Sequence, residues 1–86
     1  MQTFPFHSDP GHGWLEVNAA DAASVGLSPQ SFSKYSYQDG ATMYLEEDCD
    51  APKFVRVWER HHGTLAMSDV YSNCNSFIRD LNRIGG

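Results

Sequence analysis

The sequence predicts an α+β domain: a small, mainly antiparallel sheet of four to five strands covered by one main helix, with one or two short additional helices. Two local signals and one global one lead there. Asp39-Gly40 separates two β-favouring runs, which marks a hairpin. The segment opening at Asp50 carries an apolar stripe at helical spacing, with Pro52 near its start and Gly63 at its end. Elsewhere, short strand-like runs alternate with only two or three helical stretches, so one sheet and one helix should share the core.

In chain order, Thr3 to His7 reads as a short strand that Pro5 should place at an edge of the sheet or at the chain terminus. Ser8-Asp9-Pro10-Gly11-His12-Gly13 is dense in turn formers and reads as a tight loop. Trp14 to Val17 alternates as a strand, with Leu15 and Val17 the better inward pair. Asn18 is a good N-cap for a helix of at most two turns ending near Gly26, and Ser28-Pro29 can open another short turn. Tyr35 to Tyr37 and Thr42 to Leu45 form the hairpin. Asp50 is expected to cap the main helix, which turns Ala51, Phe54, Val55, Trp58 and His62 inward and Lys53, Arg56 and Arg60 outward. Thr64 to Tyr71 reads as a further strand. Phe77, Ile78, Leu81 and Ile84 stand at helical spacing, although an extended tail satisfies the same residues.

The chain has 86 residues and is expected to form a single domain over residues 1–86. So small a domain leaves little room for an enclosed chamber, so any site should be a surface cleft or face. With only Cys49 and Cys74 and no charged-then-apolar opening segment, the expected compartment is the cytoplasm and the expected cysteine state is the free thiol. No apolar run approaches the roughly 18 residues of a membrane-spanning helix. The net charge is −5, unevenly placed: up to Asp50 eight acids face Lys34 alone, and thereafter five Lys or Arg face three acids. Acidity disfavours nucleic-acid binding, whose affinity rests on neutralising phosphates, and suits contact with a basic protein surface.

The loop Ser8-Asp9-Pro10-Gly11-His12-Gly13-Trp14-Leu15, the hairpin Tyr35-Ser36-Tyr37 with Gly40, and the string Tyr44-Leu45-Glu46-Glu47-Asp48-Cys49-Asp50 together resemble a family of short uncharacterised proteins from bacteriophages, prophages and plasmids. The resemblance extends to Glu59-Arg60-His61-His62. It implies a mobile-element gene product expressed in a bacterial cytoplasm, for which host takeover or counter-defence is a common role, and it carries no site residues across.

Glu46, Glu47 and Asp48 form the candidate partner-binding surface. Their run lacks the alternating acids and central glycine of a calcium loop, and its plainer role is to place negative charge before a helix N-terminus. His7, His12, His61, His62, Cys49 and Cys74 lack the close ligand pairs of a structural zinc site. No cofactor or metal is therefore expected. His12 is the best acid–base candidate, because flanking glycines can present its imidazole to a ligand; Asp9, His12 and Trp14 then form an alternative ligand-binding loop. Cys49 precedes a helix, but the neighbouring acids should raise its pKa and blunt it as a nucleophile. Lys53, Arg56 and Arg60, with Arg79 and Arg83, could form a nucleic-acid face, for which a solvated helix surface is the simpler account. Trp14 and Trp58 are expected in the core.

The functional expectation is a non-enzymatic accessory protein of a phage or mobile element, binding a host or phage protein through its acidic surface. The alternatives are a small enzyme or ligand-binding domain using His12, and a nucleic-acid binder using the basic helix face.

Overall fold

In the computed structural model, which describes residues 2–84, the chain forms one mixed six-stranded sheet of order β5-β1-β2-β4-β3-β6. The strands are β1 (Thr3–Ser8), β2 (Gly13–Asn18), β3 (Tyr37–Asp39), β4 (Thr42–Glu46), β5 (Ala66–Tyr71) and β6 (Asn82–Arg83). All neighbours are antiparallel except β1 and β5, which run parallel. The helices are α1 (Ala19–Ser24) and α2 (Asp50–His62), with 3-10 turns at Pro29–Ser31 and Phe77–Asp80. Among the described residues no helix is long and apolar enough to cross a membrane.

Local chemistry explains most element boundaries. The Asn18 side chain accepts from the amide of Ala20 at 2.7 Å, capping α1. Asp39 pairs with Thr42 across the Gly40-Ala41 loop, where Gly40 holds φ +59°, a conformation that suits glycine. Gly63, at φ +82°, closes α2. At Gly13 the constraint is space: a Cβ there would stand 2.6 Å from the Phe6 ring.

The sheet is covered on both faces. Along β2 the side chains alternate: Leu15 and Val17 join Phe4, Met43, Leu45, Phe54 and Trp58 in the main core under α2. Trp14 belongs to a second cluster with Tyr37, Tyr44 and Ile78, against which Leu81 packs. Both tryptophans are thus buried, but on different faces of the sheet.

Several expectations are corrected. The sheet has six strands rather than four to five, because a pair of residues at the C-terminus adds β6 beside β3. β1 is the first element of the chain, as one of the two placements allowed, but it lies inside the sheet rather than at an edge: its register with β2 ends at Phe6 opposite Leu15, so Pro5 is paired only towards β5. Of the two readings left open for the tail, the helix is not formed: the segment makes a 3-10 turn and a short strand, with Ile78 and Ile84 buried. On α2, Ala51, Phe54 and Trp58 are buried while His62 is exposed.

Asp50 is not the cap of α2. It is the first helical residue, and its buried carboxylate accepts from the Ser33 amide at 3.0 Å, from the Ser33 hydroxyl at 2.7 Å and from the Ser36 hydroxyl. Cys49 holds the N-cap position without a side-chain bond. The amides of Asp48 and Cys49 are instead satisfied by Glu46 Oε1, at 3.1 and 2.8 Å.

Candidate functional site

Three segments distant in sequence converge on one cleft of about 470 Å³: the β1–β2 loop, the corner between β4 and α2, and the C-terminal turn with β6. His12 and Trp14 come from the first, Glu46, Asp48 and Cys49 from the second, Arg79 and Arg83 from the third, and Tyr35 and Tyr37 complete the lining.

The loop is fixed from within. Asp9 Oδ1 accepts from the amides of Gly11 and His12, each at 3.0 Å, an arrangement that shapes an Asx-type turn. The same carboxylate takes Arg79 in bidentate fashion and the Ser76 amide at 2.9 Å. The guanidinium, joined by the Ser76 amide, holds the Asp9 carboxyl far below the usual carboxylate range, and Asp9 in turn raises the pKa of Arg79. Arg79 lies over the indole of Trp14, with Cζ 5.2 Å from the ring centroid.

His12 is gripped by carboxylates on both sides. Its Nε2 pairs with Glu46 Oε2, and its Nδ1 lies 3.3 Å from Glu47 Oε1. Burial alone would raise the Glu46 carboxyl, but the amides of Asp48 and Cys49 and the His12 ring outweigh it and hold the pKa below its ordinary value. The Cys49 thiol is pushed up, first by its hydrogen bond to Glu46 and then by burial and the nearby acids, so it is kept as a thiol rather than a nucleophilic thiolate. Arg83 lies over Tyr37, its Cζ 5.3 Å from the centroid, and donates to the Lys34 carbonyl at 3.3 Å.

The acidic string is thus divided by the fold. Glu46 is only 6% exposed, Glu47 is half-buried, and Asp48 and Cys49 are exposed. It cannot serve as three equivalent surface charges, because Glu46 is engaged in holding the corner and His12. Of the alternative set, His12 and Trp14 line the cleft and Asp9 lies behind them as their support. Lys53, Arg56 and Arg60 sit exposed on α2 and do not line the cleft; Lys53 donates to the Ser31 carbonyl at 2.6 Å. Cys49 and Cys74 are free and exposed. Sequence reasoning missed Tyr35 and Tyr37 as cleft residues and placed Arg79 and Arg83 only in a nucleic-acid face. No local signal could have joined them to His12.

Comparison with protein-family models, with curated proteins and with solved structures found no match.

Proposed function

We propose that the protein is a small binding domain that takes an acceptor-rich, anionic ligand in this cleft, without a covalent step. The observation that supports this reading best is the imbalance of hydrogen-bonding capacity around the cleft. Glu46 already accepts from two amides and faces His12, and Glu47 faces the other ring nitrogen. The donors are less engaged. Among the described residues, Arg79 uses Nε and Nη2 on Asp9, leaving Nη1; Arg83 makes one bond to a carbonyl; and the Trp14 Nε1–H is buried with no acceptor. A buried donor without a partner is unfavourable, and guanidinium groups are strong binders of carboxylate and phosphate oxygens. The volume suits a small ligand, and Tyr35 and Tyr37 offer it aromatic walls. Catalysis is disfavoured because both nitrogens of His12 face carboxylates and Cys49 is held protonated.

The test is calorimetric titration with inorganic phosphate and with phenyl phosphate, which adds a flat ring. Saturable binding is expected, tighter for phenyl phosphate, and weakened roughly tenfold or more in Arg83→Gln, as for loss of a charge-assisted hydrogen bond. Absence of saturable binding, or indifference to Arg83→Gln, would contradict the proposal.

A second reading retains the expected role of a phage or mobile-element accessory protein acting on a host or phage protein in a bacterial cytoplasm. Exposed Asp48 at the cleft, with half-buried Glu47 beside it, supports it. Asp48→Lys separates the two: it should strengthen anion binding under the first reading and abolish partner capture under the second.

A further inference from the structure

We propose that His12, Glu46 and Asp48 hold a divalent cation of the zinc class in this cleft. One ring nitrogen of His12 and one carboxylate oxygen from each of Glu46 and Asp48 lie within 4.8 Å of one another. Small adjustments of these side chains bring such atoms to the roughly 2.0–2.2 Å that zinc requires. His12 Nε2 and Glu46 Oε2 are hydrogen-bonded to each other, so a nitrogen and an oxygen donor already converge on one point, where a cation would take the place of the shared proton. Two features of the surroundings favour that exchange. Glu47 Oε1 lies 3.3 Å from His12 Nδ1, near enough to take up the second ring N–H once the first nitrogen holds a cation, which is the usual support of a metal-bound histidine. Glu46 Oε1 is fixed by the amides of Asp48 and Cys49, which presents Oε2 in one orientation. One imidazole with two carboxylates suits zinc and its first-row neighbours, whereas calcium and magnesium prefer oxygen ligands alone.

Arg79 and Arg83 line the same cleft, as does Trp14, 2% exposed, whose indole N–H has no hydrogen-bond partner among the described residues. Three protein ligands leave a tetrahedral ion with an open position. An oxyanion there would meet the cation and the guanidinium groups together, while the dication offsets the carboxylates that otherwise oppose an anion. In this last respect the inference rests on the anion-binding reading; the cation site itself does not.

Zinc chloride titrated calorimetrically into EDTA-treated, dialysed protein, with no phosphate present, tests the site. Saturation at a single equivalent is expected, with a rise in the thermal midpoint of the folded protein. Asp48→Asn, an exposed position, should keep the fold and weaken zinc about tenfold or more, and Glu47→Gln should weaken it by about tenfold through the ring orientation. A variant with His61→Ala and His62→Ala removes the exposed adjacent histidines and should bind as the parent does. No saturable binding, binding unchanged in Asp48→Asn, or binding lost with His61 and His62 would each overturn the proposal. Phosphate titration in EDTA reports on anion binding separately, so failure of one idea is distinguishable from failure of the other.

Discussion

Arg79 and Asp9, 70 residues apart in sequence, meet in a bidentate pair with Nε to Oδ2 at 2.6 Å and Nη2 to Oδ1 at 2.9 Å. The pair ties the C-terminal turn to the β1–β2 loop and sets one wall of the cleft. Its pH dependence has a definite sign. The folded-state Asp9 carboxyl is lowered by Arg79 and the Ser76 amide, so the unfolded chain takes up the proton first as pH falls. The contribution is complete above the ordinary carboxylate pKa of about 4 and is lost as pH drops below it towards the folded value. Urea midpoints measured from pH 6 to pH 2 should therefore decline through the acid range, and Asp9→Asn should be less stable at neutral pH with a flatter decline. Parallel curves for the two proteins would contradict this account.

Asp50→Ala should destabilise the fold by about 2–4 kcal/mol, more than the roughly 0.5–2 kcal/mol of a lost cap, because it leaves the buried hydroxyl of Ser36 and the Ser33 amide without their acceptor. Asp48→Ala should lie within about 0.5 kcal/mol of the parent, as for an exposed substitution. Equilibrium urea denaturation measures both. A loss at Asp48 matching that at Asp50 would mean that the start of α2 is held by other contacts.

How much of this was legible in the sequence depends on range. The Asn18 cap, the Ser28-Pro29 turn and the Gly63 stop are set by residues within a few positions of one another and stand where expected. The Asp39-Gly40 hairpin forms with its first strand two residues later than expected, over Tyr37–Asp39, so that Gln38 and Asp39 belong to the strand. Pro5 suggested an edge because sequence cannot show that the β2 ladder ends at Phe6. Asp50 looked like a cap because its partners, Ser33 and Ser36, lie on a remote segment. His12 was identifiable from its flanking glycines, but its pairing with Glu46 spans 34 residues. The same acids that read as one surface run are separated by the bend from β4 into α2, which buries Glu46 and exposes Asp48.

Cys49 offers a chemical probe of that corner. In a Cys74→Ser background, iodoacetamide at pH 8 should modify Cys49 more slowly in the folded protein than in urea, although the residue is exposed, because Glu46 holds the thiol protonated and only the thiolate reacts. Glu46→Gln should narrow the difference. Faster labelling of the folded protein would show that the cleft activates the thiol instead.

The central claim is that the cleft receives an anionic ligand, and the indole N–H signals of the two tryptophans test it within one spectrum. Trp14 lines the cleft, whereas Trp58 lies in the main core under α2. Nuclear magnetic resonance titration with phenyl phosphate should move the Trp14 indole signal along a saturable curve, leave Trp58 in place, and require roughly tenfold more ligand in Arg83→Gln. A Trp14 signal that stays fixed while phenyl phosphate is added, or one that drifts in step with Trp58 without saturating, would contradict the claim.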